Sequence, residues 1–207
     1  MKPSYKFYRG CFRLMQAYIN VFYKFRVTGQ ENIPDGAAVV CANHSNNIDP
    51  FLVAIAFGIH NHVHVMSKIE LFRIPVVSQI LQKLGMISVN RGAPDSNSVK
   101  STFGYLKIGE KVVIFPEGTR VSQDDAAEAK AGAVKFAERT GVPLIPVFIP
   151  RKKPLFRKLT IAIGEPYYIE KQEKKRSAGD YSALSDDMME KIKLLNPKSV
   201  TIMVGSV

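Results

Sequence analysis

Strand-like and helix-like segments alternate along this chain, and that alternation limits the folds open to it. Residues 37–42, 85–89 and 111–115 are short apolar, partly β-branched runs, each followed by a polar loop and a segment with helical spacing. Residues 143–149 and 158–164 add two more such runs, and the periodicity predicts helices over 51–57, 75–83, 95–107, 124–139 and 181–195. This rhythm implies an α/β fold, a mostly parallel mixed sheet flanked by helices. Two prolines, Pro143 and Pro146, predict that their strand lies near an edge or is irregular. The carboxyl ends of parallel strands share one edge, where ligands bind. The loops after residues 42, 89 and 115 should therefore gather His44, Arg91 and Arg120 around one cleft.

The first of these loops reads Asn43-His44-Ser45-Asn46-Asn47-Ile48-Asp49-Pro50. On a continuous helix His44 and Asp49 would point about 140° apart, so they meet only if His44 stays in the loop and Asp49 caps the helix. Aspartate is a favoured N-cap and proline suits the first helical position. Imidazole titrates near neutrality and serves as a base when a carboxylate fixes its tautomer. The same residues also fit a plain helix start beside a polar loop histidine. Arginine recognises phosphate through paired N–H donors, and Gly118 would let backbone amides approach an anion. Taken singly, Arg91 and Arg120 fit surface ion pairs as well. His60, His62 and His64 alternate and would share one face of a strand, but no acid or cysteine lies beside them, and no metal site is expected.

Residues 1–27 carry six basic residues and no acidic one. At 100° per residue Lys2, Lys6, Arg9, Arg13 and Lys24 fall with Gln16 and Asn20 in an arc of about 80°, leaving an apolar face wider than the ~100° stripe that packing on a core requires. The surplus, which includes Tyr5, Phe12, Leu14, Met15, Tyr18 and Phe22, suits insertion into a bilayer interface, with cations toward anionic headgroups. Gly10 would divide the segment into two helices. Packing of the whole face on protein is the alternative. The division expected is residues 1–27 as an amphipathic membrane-association segment and 28–207 as the main domain. The formal charge of +11 calls for an anionic partner, and the basic clusters at 151–158 and 171–176 would form a membrane-facing rim or solvated surface. No apolar stretch reaches the ~18 residues of a transmembrane helix. Cys11 and Cys41 show no metal or redox spacing, which fits a reducing compartment.

The motifs carry a resemblance. His44-Ser45-Asn46-Asn47-Ile48-Asp49 is similar to the signature of the 1-acylglycerol-3-phosphate acyltransferase (lysophospholipid acyltransferase) family. Residues 85–91 resemble its second motif, Phe115-Pro116-Glu117-Gly118-Thr119-Arg120 its third, and Val142-Pro143-Leu144-Ile145-Pro146-Val147 its fourth, in the right order. Ser88 stands where the second motif often has an aromatic residue or proline. The resemblance implies transfer of an acyl group from acyl-CoA or acyl carrier protein to the free sn-2 hydroxyl of 1-acylglycerol-3-phosphate. Phosphatidic acid, a phospholipid precursor, would result. It implies His44 and Asp49 as catalytic residues, and Arg91, Glu117, Gly118, Thr119 and Arg120 as acceptor-binding residues. No metal or cofactor is expected beyond the thioester co-substrate. The partner would be a membrane phospholipid surface, with monotopic attachment at the cytoplasmic face. Another lysolipid or glycerol-3-phosphate as acceptor, or a non-catalytic membrane-binding protein, are the rival readings. A nucleic-acid partner is not expected, because no basic-aromatic RNA signature or helix-turn-helix cue is present.

Overall fold

The computed structural model describes residues 3–90, 95–121, 129–172 and 174–197. In chain order the elements are α1 (Tyr5–Phe22), β1 (Lys24–Thr28), β2 (Ala38–Ala42), α2 (Asp49–Phe57), β3 (Val63–Lys68), α3 (Pro75–Lys83), β4 (Ile87–Val89), α4 (Ser96–Lys107), β5 (Lys111–Ile114), α5 (Gly132–Thr140), β6 (Leu144–Phe148), β7 (Lys158–Ile163) and α6 (Ala178–Leu194). Most helices start and stop where the sequence signals them; the helix expected over 124–139 begins only at Gly132, residues 129–131 standing outside it and 122–128 outside the described residues. The Asp95 carboxylate caps α4 through the Asn97 and Ser98 N–H groups, Gly141 ends α5 in the left-handed region, and Ser177 with Asp180 forms a capping box for α6.

The sheet order is β1-β7-β6-β2-β5-β3-β4. Strands β2 to β6 run parallel to one another, and β6 pairs antiparallel with β7, which in turn runs parallel to β1. This is the mostly parallel mixed sheet that the alternation implies. The pleat divides each central strand between two cores. Ala38, Val40 and Ala42 join Tyr8, Phe12 and Ile19 of α1 and Leu52, Val53 and Ala56 of α2 on one face. Val39 and Cys41 join Leu106 of α4, Val134 of α5 and Met188 and Ile192 of α6 on the other. Each fully buried aliphatic side chain contributes about 1.5–3 kcal/mol, so both helical layers are firmly seated.

Two further expectations need correction. The proline-bearing strand β6 lies inside the sheet, between β7 and β2. The Pro146 carbonyl accepts from Gly164 N at 2.8 Å, so its backbone polar edge faces β7, just beyond the Val147–Ile163 pair where that ladder ends. The missing N–H falls at the end of the antiparallel ladder and costs nothing on the β2 side. Second, α1 is one continuous helix through Gly10, and only part of its apolar face is free. Tyr8, Phe12 and Ile19 are core, while Leu14, Tyr18 and Val21 stand on an adjoining arc at 75%, 43% and 66% exposure. No described helix is long and apolar enough to cross a membrane.

Candidate active site

Strands β2 and β5 are neighbours, with Cys41 beside Ile114, so the loops that leave their carboxyl ends must touch. Two hydrogen bonds join them: Val121 N donates to the His44 carbonyl at 2.8 Å, and His44 N donates to the Glu117 side chain at Oε2, 2.6 Å away. Asn43 fixes the loop from the other side. Its buried amide donates to the Ile149 carbonyl at 2.7 Å and accepts from Ile149 N at 2.8 Å, which joins the ends of β2 and β6.

His44 and Asp49 meet, as the spacing allows. His44 Nδ1 lies 3.0 Å from Asp49 Oδ2, and the ring stacks on Phe115 with centroids 4.3 Å apart. The aspartate is placed differently from expectation, however. Ile48 occupies the N-cap of α2 and Asp49 is its first residue. Its carboxylate turns back on the loop and accepts from Ser45 N and Asn46 N, each at 2.7 Å, through the oxygen that holds His44. The other oxygen, Oδ1, pairs with Lys153 Nζ at 2.8 Å. Burial alone would raise the Asp49 pKa, but the His44 hydrogen bond, the Lys153 ammonium and the Ser45 N–H together hold it below the usual carboxylate range. A buried anion is thereby fixed on Nδ1, which assigns the proton to Nδ1 and leaves Nε2 with a lone pair.

His44 lines a cleft of about 400 Å³ with Asn47, Phe51, Ser67, Lys68, Thr119 and Arg120. Arg120 is exposed and its Nη1 donates to Asn47 Oδ1 at 2.9 Å, bridging the two loops at the mouth. Gly118 has φ +66°, and a Cβ there would come within 2.6 Å of the Lys130 side chain, so this turn requires glycine. Glu117 does not face the cleft. It is 4% exposed, one oxygen taking His44 N and the other Arg151 Nη2 at 2.6 Å. A carboxylate would in any case repel phosphate; its place here is to hold the histidine loop. Arg91 lies outside the described residues.

Arg151 and Lys153 correct the sequence reading most. They belong to a basic cluster expected on a membrane-facing rim or solvated surface, yet both side chains reach inward. Arg151 Nη1 also donates to the Val121 carbonyl at 2.6 Å, and Lys153 Nζ donates to Ser45 Oγ at 2.8 Å. The edge rule applied to the loops after residues 42, 89 and 115 would have found them, because they follow β6, another parallel strand. The prolines in that run had assigned it to the periphery instead.

The chemistry open to this edge is proton abstraction by an oriented imidazole, next to a cation at the cleft mouth. Comparison with known proteins points the same way. The Acyltransferase family profile matches residues 24–150. A 1-acyl-sn-glycerol-3-phosphate acyltransferase of Bacillus subtilis is 31% identical over 198 residues, which is 92% of this chain and 98% of that protein. One from Borreliella burgdorferi is 33% identical over 138 residues, 65% of this chain and 54% of that protein. The crystal structure of the 1-acyl-sn-glycerophosphate (LPA) acyltransferase PlsC from Thermotoga maritima superposes with a TM-score of 0.62 at 26% identity, covering 91% of this chain and 78% of that one. With profile, sequence and fold in agreement, the chain is an enzyme of the acyltransferase family, in its 1-acylglycerol-3-phosphate acyltransferase group.

Proposed function

We propose that the protein transfers a fatty acyl group from a thioester, acyl-CoA or acyl carrier protein, to the sn-2 hydroxyl of 1-acylglycerol-3-phosphate, giving phosphatidic acid for phospholipid synthesis. The observation that carries the reading is the His44–Asp49 pair, with Nδ1 held at 3.0 Å and Nε2 left for the cleft. His44 Nε2 takes the acceptor hydroxyl proton as that oxygen attacks the thioester carbonyl. Collapse of the tetrahedral intermediate breaks the carbon–sulfur bond, and the departing thiolate recovers the proton from the imidazolium. A thioester is already activated, so no side-chain nucleophile and no cofactor are required. General base catalysis of this kind supplies roughly 10² to 10⁴ in rate, and the Asp49 anion stabilises the imidazolium that forms.

Arg120, and Arg91 by resemblance, hold the acceptor phosphate, while Glu117 and Arg151 position the loop. An apolar crevice lined by Tyr8, Phe12, Met15, Ile55 and Leu84 runs between α1 and α2. It shares Pro50, Phe51 and Met86 with the cleft, which suits it to a fatty chain. The protein attaches monotopically to the cytoplasmic face of a membrane through the free arc of α1.

Incubation of the purified protein with labelled acyl-CoA or acyl-carrier-protein thioester and lysophosphatidic acid tests the reading. Labelled phosphatidic acid is the expected product, and His44→Ala abolishes it while the circular dichroism spectrum stays that of the wild type. Undiminished turnover by folded His44→Ala protein refutes the mechanism. Acylation of other lysolipids but not of lysophosphatidic acid replaces the acceptor.

A further inference from the structure

At the edge of the sheet opposite the cleft, the starts of three parallel strands bring together groups that the reaction does not use. His62 precedes β3 by one residue, His64 lies within it, and Glu110 precedes β5 by one residue. The sequence shows no acid beside the histidines; the β3–β5 pairing supplies one from 46 residues away. His62 Nδ1, His64 Nε2 and the Glu110 carboxylate lie within 4.8 Å of one another, and both histidines are buried.

The remaining ring nitrogens are committed to main-chain carbonyls in the turn before β4. His62 Nε2 donates to the Leu84 carbonyl at 3.2 Å and His64 Nδ1 to the Gly85 carbonyl at 2.7 Å. A carbonyl only accepts, so these bonds fix the protons and leave both inward nitrogens as lone pairs in the neutral rings. Gly85 is part of the seat: a Cβ there would lie 2.7 Å from His64 Nδ1. His64 is stacked on Tyr105, and the His62 ring meets the edge of Tyr8.

Two lone pairs and a carboxylate converging in a buried place repel one another unless a cation lies between them. A single proton bridging His64 Nε2 and Glu110 would settle one contact only. His62 Nδ1, 3.9 Å from Glu110 Oε1, would stay buried with no hydrogen-bond partner among the described residues.

We propose that His62, His64 and Glu110 bind a divalent transition-metal ion of the zinc class. Imidazole and carboxylate donors suit that ion, and histidine ligands with the far N–H on a carbonyl are the usual supporting arrangement. Metal–ligand bonds near 2.0–2.1 Å place tetrahedral donors about 3.3 Å apart, so the widest donor pair, within 4.8 Å, closes by about 1.5 Å, while the touching His64 Nε2 and Glu110 carboxylate move apart to admit the ion. The Tyr5 hydroxyl hydrogen-bonds to Glu110, and Ser4 N donates to the Lys83 carbonyl at 2.8 Å. The ion therefore fastens the start of α1 to the sheet, a structural role far from the acyl-transfer cleft.

The full-length protein, stripped with a chelator, is titrated with Zn²⁺ against a chromophoric chelator and with Co²⁺ followed by visible absorption. One equivalent per chain is expected, with a four-coordinate cobalt spectrum. His62→Asn and Glu110→Gln should weaken binding by more than the ~10–100-fold that loss of a supporting partner costs, while His44→Ala retains it. Circular dichroism checks each variant's fold. Should either unfold, the cobalt spectrum of the intact protein decides: four-coordinate supports the site, and an aquo-type spectrum overturns it. No uptake, or weak uptake of several equivalents unchanged in folded variants, also overturns it and leaves a proton-bridged His64–Glu110 pair.

Discussion

Lys153→Met removes the cation behind the proposed catalytic dyad while nearly keeping the side chain's volume. Lys153 Nζ sits 2.8 Å from Asp49 Oδ1 and 2.8 Å from Ser45 Oγ, and its side chain is only 3% exposed against 0% for Asp49. Breaking a buried pair costs about 3–5 kcal/mol when the surviving charge is left bare. Asp49 is not left bare, since Ser45 N, Asn46 N and His44 still donate to its other oxygen. The loss should be that of one charge-assisted hydrogen bond, about 1.5–3 kcal/mol. For a chain of this size that lowers Tm by about 3–12 °C. Lys153 is among the groups that depress the Asp49 pKa, so its removal lets that pKa rise. Loss of that opposite charge disfavours the ionised carboxylate, so activity that depends on the Asp49 anion should fall away at higher pH in the variant, and the acid limb of the rate profile should move up. Steady-state acyl transfer should show kcat reduced about ten- to a hundredfold with both KM values little changed, because Lys153 acts through Asp49. In an Asp49→Asn background the same substitution should cost almost nothing further, since the pair acts as a unit. An unmoved acid limb with wild-type kcat would refute the reasoning, and a loss confined to one KM would make Lys153 a substrate-binding residue.

Four further variants probe the other assignments. Glu117→Gln weakens the buried pair with Arg151, and should cost about 3–5 kcal/mol of stability in denaturant titration with the acceptor KM unchanged; a raised acceptor KM in stable protein would return Glu117 to the phosphate site. Arg120→Ala should raise the KM for the phosphate-bearing acceptor by about one to two decades and leave that of the thioester alone, as loss of a charge-assisted contact worth about 1.5–3 kcal/mol requires. Serine at Leu14, Tyr18 and Val21 together should release the protein from anionic vesicles in flotation without lowering Tm, whereas Phe12→Ser should unfold it. Equal flotation of the triple variant would move the membrane contact elsewhere on the surface.

Where short-range pattern decides structure, the sequence was readable. The runs at 37–42 and 111–115 became adjacent central strands, and His44 with Asp49 needed only the loop between them to meet. What stayed hidden depends on pairings across most of the chain. Lys153 lies 108 residues from Ser45, and nothing local distinguishes a buried lysine from the solvated ones around it. Pro146 reads as an edge signal because the rule counts a missing N–H without knowing which neighbour it faces. The apolar width of α1 is visible on a helical wheel, but its division into a docked arc and a free one is set by α2 and the sheet. Glu110 meets His64 only because β5 lies beside β3.

The pairing of β1 with β7 has a consequence during synthesis. Residues 24–28 find their partners only when residues 158–162 have been made, and Phe156, whose N–H donates to the Phe22 carbonyl, arrives equally late. At roughly 5–20 residues per second the nascent chain carries its aromatic amphipathic helix for on the order of ten seconds before that side of the sheet can close over it. Meanwhile the Phe22 end of the helix lacks its cover from Phe156 and stands as apolar surface beside a basic stripe. On the proposed attachment, an anionic bilayer is the first partner it meets, and the ribosome delivers the rest of the domain already tethered at the lipid surface.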